Sequence, residues 1–148
     1  MIKNNPIARI TTILISPLIT FYSLYILFNG EDSPGGGFQA GAIFATNIIL
    51  LDMVGFLDKA RTLRKTSAGL ELIKTLIFLS ALGVFIYLSV GIVSIFFGGN
   101  FLDYSVLLNN KLLGQHIGIF IIEIGIAITV ASVLSLLYFS FKLDDNGV

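Results

Sequence analysis

The 148 residues are 55% hydrophobic and only 12% charged, with nine basic against nine acidic side chains and a mean hydropathy of +0.93. This composition excludes an ordinary soluble domain and indicates an integral membrane protein, and the balanced charge gives no sign of a nucleic-acid partner. The chain has no Cys and one His, which excludes disulfides, iron–sulfur ligation and a zinc site made of Cys and His from this chain alone.

Four apolar segments are each long enough to cross a hydrocarbon core of roughly 30 Å as a helix. Runs of this length are too long for barrel strands, and they lack the period of two that a barrel shows. We therefore expect an all-α integral membrane protein, a bundle of four transmembrane helices in one domain over residues 1–148. The helices are predicted near residues 7–28, 37–57, 70–97 and 112–141.

The first segment follows Lys3 and Arg9, as a signal peptide would. Its apolar stretch is longer than the usual 7 to 15 or so residues, and it ends in aromatic rather than small side chains. We interpret it as a retained helix.

A glycine-rich turn, GEDSPGGGFQAG over Gly30 to Gly41, leads into the second segment. Ser33 and Pro34 are typical of a helix start, with Ser as the N-cap and Pro in the first position. The three glycines that follow cost about 1 kcal/mol each relative to Ala in a helix, so we predict a distorted start. Bare backbone of this kind also permits close contact with another subunit. A phosphate cradle is disfavoured because the turn lacks a P-loop pattern and a basic residue.

A stripe of mostly small residues runs down the second segment within a sector of about 80° and ends at a carboxyl group. Small residues four apart are typical of close helix packing in membranes. The carboxyl group has two interpretations, part of an ion path or an ion pair near the membrane surface, for example with Lys74 or Arg61, and the pair is favoured. The stripe consists of Gly37, Gly41, Ala45, Ile48 and Asp52.

In the third segment, Glu71 and Lys74 lie three residues apart on one helix face. The simplest interpretation is an ion pair between them, with Lys74 also able to extend outward to water. A buried lysine in a proton pathway is the alternative.

The fourth segment presents two different interior faces. His116 and Glu123 are seven residues apart, nearly two turns, so both lie on one side about 10 Å apart along the axis. Small residues occupy the opposite side and permit close packing. A carboxyl group at mid-helix is costly, so Glu123 either carries protons along an ion path or, when protonated, joins two helices. His116 is interpreted first as a hydrogen bonder at an interface.

Basic residues predict the orientation of the bundle. Lys59, Arg61, Arg64 and Lys65 all lie in the connection between the second and third segments, whereas the first connection carries only acids. The positive-inside rule then places this connection and both chain termini in the cytoplasm.

Two stretches resemble the MnhB family, one of the small membrane subunits of multisubunit Mrp-type sodium/proton antiporters. They are SPGGGFQAGAIFA at 33–45 and GQHIGIFIIEIGIAITVASVL at 114–134, and the resemblance extends over nearly the whole chain. Where family members often have a glycine directly after the glutamine, this chain has Ala40. The most specific part, expected to form the helix start and a contact between subunits, comprises Pro34, Gly35, Gly36, Gly37, Phe38, Gln39 and Gly41.

The resemblance implies a multi-pass subunit of a complex that exchanges Na+ or another monovalent cation for protons, in the cytoplasmic membrane of a bacterium or archaeon. Its partners would be other antiporter subunits and the lipid bilayer, with no cofactor and no metal. Glu123, His116, Asp52 and Lys74 would be the polar groups that line an ion path or join helices. Two alternatives stay open, a structural spacer subunit and a subunit of the antiporter-like module of a membrane-bound hydrogenase.

Overall fold

The computed structural model describes residues 5–30, 35–57, 68–108 and 110–144. Within these ranges the chain is helical, as predicted, and each long helix begins within two residues of its expected start. A single 3-10 turn at Tyr104–Val106 follows the third helix. The four long helices are α1 (Pro6–Phe28), α2 (Gly37–Met53), α3 (Ala68–Phe96) and α4 (Lys111–Asp144).

Three of the helices are long and apolar enough to cross a membrane, over Pro6–Phe28, Glu71–Phe96 and Lys111–Lys142. Helix α2 is apolar but has 17 residues, which gives a length of about 25 Å. In each long span only 17% of the most apolar window is buried within the chain. The described part of the chain therefore leaves most of the surface of these helices uncovered.

Helix α2 ends at Met53, earlier than the predicted residue 57. The amide of Val54 still donates to the Leu50 carbonyl, but the next amide, of Gly55, donates to the backbone carbonyl of Asp52. Gly55 has φ 73°, the left-handed conformation with which glycine commonly ends a helix. The start of α2 is as predicted, because Gly35 and Gly36 are not helical and the helix begins at Gly37.

The helices form an open row rather than a closed bundle. α1 packs on α2, α2 on α4 and α4 on α3, and in the described part of the chain α1 touches α4 only slightly. The order across the row is therefore α1, α2, α4, α3. An open row leaves both of its faces available to lipid or to neighbouring proteins.

Helices α2 and α4 run parallel and in register. Gly37 lies against the backbone of Glu123, Gly41 lies against Ala127, and Asp52 is hydrogen-bonded to Tyr138. In each pair the α4 residue follows its α2 partner by 86 positions. A Cβ added at Gly41 would lie 2.6 Å from the Ala127 carbonyl oxygen, so only glycine permits this approach. The small stripe predicted on α2 is thus a packing surface, and its partner is α4 of the same chain.

The small face of α4 packs as predicted. An added Cβ at Gly125 would lie 2.9 Å from the carbonyl oxygen of Gly83 in α3, so the two backbones are in direct contact. Nearer the start of α4, Gly114 and Gly118 lie against Tyr104 of the 3-10 turn. Burial raises the pKa of the Tyr104 phenol, so this side chain stays neutral where it covers the helix.

Helices α1 and α2 are joined by polar side chains and run antiparallel. The buried Asn47 amide donates to the Ser16 carbonyl at 3.2 Å and to the Thr20 hydroxyl at 2.9 Å. The Ser23 hydroxyl donates to the Ala40 carbonyl at 2.8 Å. With α1 antiparallel to α2 and α2 parallel to α4, the N-terminus of α1 and the C-terminus of α4 lie at the same end of the molecule.

Replacing Asn47 with Leu should weaken the contact between α1 and α2 moderately. Hydrogen bonds between membrane helices contribute about 0.6 to 1.7 kcal/mol in double-mutant cycles, so we expect a loss within that range. The measurement is the free energy of unfolding in mixed micelles. Thr46→Val is the matched control, because Thr46 is exposed and its hydroxyl bonds only to the Ala42 carbonyl of its own helix. A change no larger than that of the control would contradict the assigned role of Asn47.

Candidate functional site

The carboxyl group of Glu123 lies beneath the glycine-rich turn. A Cβ added at Gly36 would lie 2.8 Å from a Glu123 carboxyl oxygen, and one added at Gly30 would lie 2.6 Å from the same oxygen. Gly37 contacts the Glu123 backbone directly. The turn therefore does more than start a helix: its bare backbone makes the space in which a carboxyl group from α4 is held.

Glu123 and His116 line one cleft, as their spacing predicted. The cleft has a volume of about 260 Å³ and opens on the surface of the chain, with Ile117 between them on its wall. Phe28 and Phe120 also line it, and their rings stack with centroids 5.5 Å apart. His116 is exposed and Glu123 is half-buried, so the imidazole is at the mouth of the cleft and the carboxyl group is deeper.

A second carboxyl group, that of Asp52, is fully buried at the other end of the contact between α2 and α4. The Tyr138 hydroxyl donates to Asp52 Oδ2 at 3.0 Å, and the Lys142 ammonium forms an ion pair with the same oxygen. Lys142 also lies over the Tyr138 ring, 6.0 Å from its centroid. An ion pair was expected for Asp52, but its observed partner comes from α4 and not from Lys74. Arg61, the other suggested partner, lies outside the described residues.

Lys74 does not join this cluster. It is exposed on α3, as is Glu71, and no ion pair links the two in the part of the chain that the structure describes. The predicted pair three residues apart is therefore absent there. Both side chains lie in the first turn of the apolar span of α3, where the aliphatic part of a lysine can cover apolar surface while its ammonium reaches water.

The other residues of the glycine-rich motif differ in their exposure. Pro34 lies outside the described residues, as does the Ser33 N-cap. Gly35 is half-buried, whereas Phe38 and Gln39 are exposed, Phe38 to 66%. The side chains of Phe38 and Gln39 therefore make few contacts with the described part of this chain.

The contact between α2 and α4 is closed between its two carboxyl groups. Tyr138 is hydrogen-bonded to Asp52 and therefore marks the level of Asp52 along α4. Glu123 and Tyr138 are separated by about 22 Å along this helix. About 6 Å from Glu123 along α4, Gly41 approaches Ala127 so closely that even a Cβ would meet the carbonyl oxygen at 2.6 Å. A water molecule has no room there. A path between the two carboxyl groups has to leave the contact at this level and follow an outer face of the row.

The side chains that hold Asp52 were not predicted from the sequence. Lys142 was not among the polar groups expected to matter, and Tyr138 fits equally well as an aromatic at the membrane surface. Their spacing of four carried a usable signal, since residues four apart share a helix face. The partner of that face was not readable, because it depends on the parallel register of α2 and α4.

The family model and the similar proteins that match this chain point to the same family. Residues 7–136 match the family model of a domain related to the MnhB subunit of Na+/H+ antiporters. Similar proteins include the B subunit of a Na+/H+ antiporter of Bacillus subtilis, 26% identical over 86% of this chain and 90% of the relative. A Staphylococcus haemolyticus protein assigned as antiporter subunit mnhB2 is 31% identical over 90% of this chain and 92% of its own length. A Staphylococcus aureus protein with the same assignment is 29% identical over the same shares.

Proposed function

Because the chain belongs to the family of domains related to the MnhB subunit of Na+/H+ antiporters, we propose that it is a membrane subunit of a multisubunit Na+/H+ antiporter. The relatives with that name or assignment are matched over nine-tenths or more of their length, so the likeness concerns the whole subunit. The membrane concerned is the cell membrane of a bacterium. A role as one subunit of a membrane complex explains why the chain has several apolar helices and leaves most of their apolar surface exposed.

All four helices cross the membrane in this proposal. Helix α2 is about 5 Å shorter than the hydrocarbon core, and the non-helical Gly35 and Gly36 before it complete the crossing. The non-helical backbone at Gly36 is shielded from the hydrocarbon core because it packs on Glu123 of α4. The basic connection after α2 places the Asp52 end in the cytoplasm and the glycine-rich turn outside.

The observation that carries the functional role is the position of Glu123. Its carboxyl group is half-buried in a cleft that also holds His116 and that opens on the surface of the chain. Ionisable groups inside membrane helices are rare and commonly mark ion or proton pathways. We assign Glu123 and His116 to the outer end of an ion or proton path.

Neighbouring subunits complete that path. The contact between α2 and α4 is closed at Gly41 and Ala127, and no described helix covers either face of the helix row. The exposed Phe38 and Gln39 then belong to a contact with another subunit, and we assign Pro34 to the same contact. A single row of helices lacks the second wall that a closed path requires.

The proposal is tested by deleting this subunit alone from cells that otherwise contain the complex. Everted membrane vesicles from the deletion strain should lose Na+-dependent proton exchange, and expression of the intact chain should restore it. Vesicles that keep the exchange without the subunit would contradict the proposal. Loss of hydrogen oxidation or production in place of ion exchange would identify the hydrogenase alternative.

A further inference from the structure

We infer that the buried Asp52 carboxylate and the side chains next to it, called here the Asp52 pocket, form a binding site for one monovalent cation, and that the Lys142 ammonium occupies the position which the free cation takes when it binds. The inference rests on the proposed function, because it names where a cation would be held at the end of the chain opposite Glu123. It assigns the binding of the cation to the side chains of Asp52, Tyr138 and Ser135, none of which belongs to the glycine-rich motif.

The pocket is built around a negative charge. The Asp52 side chain is fully buried, and a buried carboxylate requires a positive charge next to it. In the structure that charge is the Lys142 ammonium, bound to the carboxylate oxygen that also accepts the Tyr138 hydroxyl. Among the described residues, these contacts form a built site for a positive charge.

The ammonium in the pocket can leave, whereas the carboxylate cannot. The Lys142 side chain is 25% exposed, against 0% for Asp52. Lys142 belongs to the last turn of α4, and the four methylene groups of a lysine allow its ammonium to reach water from such a position. One cation can therefore leave as another enters, and the net charge of the pocket is unchanged.

A buried hydroxyl group near the pocket is not used by the ion pair. Ser135 is fully buried, and its Oγ has no hydrogen-bond partner in the described part of the chain. It lies one turn before Tyr138 on the same face of α4. Buried polar groups of this kind are usually satisfied, so an unused hydroxyl here points to a ligand or a bound water. Carboxylate, phenol and hydroxyl oxygens are ligands that hard cations prefer.

The discriminating variant is Lys142→Arg, studied in the purified complex. Arginine keeps the ion pair, and its planar bidentate contact with a carboxylate is harder to displace. The Na+ concentration that gives half-maximal thermal stabilisation, measured in NaCl against choline chloride, should rise about tenfold or more. A tenfold rise corresponds to a tenfold smaller fraction of pockets free to bind. A pair that only joins helices would leave this concentration unchanged, which would overturn the inference.

A second variant removes the site without leaving a lone charge. Asp52→Asn combined with Lys142→Gln keeps a neutral hydrogen-bonding pair, and it should abolish the Na+-dependent stabilisation at this pocket. If Na+ still stabilises this double variant, with the same half-maximal Na+ concentration as the wild type, the inference is overturned. Lys111→Arg is the matched control, because Lys111 is exposed at the other end of α4, and it should leave the Na+ response unchanged.

Failure of the inference and failure of the proposed function are distinguishable. If the wild-type complex exchanges Na+ for protons and Lys142→Arg leaves the half-saturating Na+ concentration as it was, only the cation site is wrong. If the complex carries out no exchange but Na+ stabilises it through Asp52, the site stands and the proposed function fails.

Discussion

Gly41→Leu is expected to separate α2 from α4 and to remove the subunit from its complex. The added side chain has no space, because even its Cβ would lie 2.6 Å from the Ala127 carbonyl oxygen and 3.0 Å from the Val130 Cβ. Overpacking a core commonly costs about 1 to 3 kcal/mol. A contact with backbone cannot be relieved by a change of rotamer, so we expect a loss at or above the upper end of that range.

The measurement is the amount of the subunit that co-purifies with its partners in mild detergent, together with the melting temperature of the preparation. Thr46→Leu is the matched control, since Thr46 is on the same helix but exposed, and it should leave both quantities near the wild-type values. Normal assembly of the Gly41→Leu subunit would show that the parallel packing of α2 on α4 is incorrect.

Glu123→Gln is expected to stop ion exchange while the complex stays assembled. Glutamine has nearly the same shape and can still form hydrogen bonds near Gly30 and Gly36, so the packing beneath the turn is kept. It can neither carry a proton nor balance a cation. A positioned proton-transferring group typically contributes 10² to 10⁴ in rate, so we expect the exchange rate to fall about 10²-fold or more.

Proteoliposomes with the purified complex provide the measurement, with Na+-driven proton flux as the signal. Glu71→Gln is the control for loss of a carboxyl group, because Glu71 is exposed on α3, and its flux should equal that of the wild type. Unchanged flux in Glu123→Gln would support a spacer role instead. Loss of assembly would equally remove the direct role in transport assigned to Glu123.

The helices were predictable because a membrane imposes long apolar runs, and each one begins close to its expected residue. The small faces of α2 and α4 were predictable for a related reason, as glycines four apart on an apolar helix have few uses other than close packing. The early end of α2 was not anticipated. It depends on Gly55, whose left-handed conformation is one of several that glycine adopts equally well.

Which faces meet could not be read from the sequence. The stripe on α2 was expected to pack closely on a helix that the sequence did not identify, and in the structure that helix is α4 of the same chain. This pairing requires that α2 and α4 are neighbours, running parallel at one fixed register, and no local pattern specifies that. The same register brings Lys142 to Asp52 and Gly36 to Glu123. The residue type at each position indicated whether that position would pack closely or carry charge. Which positions meet depends on the three-dimensional fold.

The central claim is that this chain is a working subunit of a cation/proton antiporter. The most direct measurement is to purify the tagged chain in mild detergent, identify the membrane proteins that accompany it, and record Na+-driven proton flux after reconstitution of the same preparation. We expect several other membrane subunits in a fixed ratio and a flux that requires Na+. A chain that purifies alone, or with the catalytic subunits of a hydrogenase and without Na+-dependent flux, would contradict the claim.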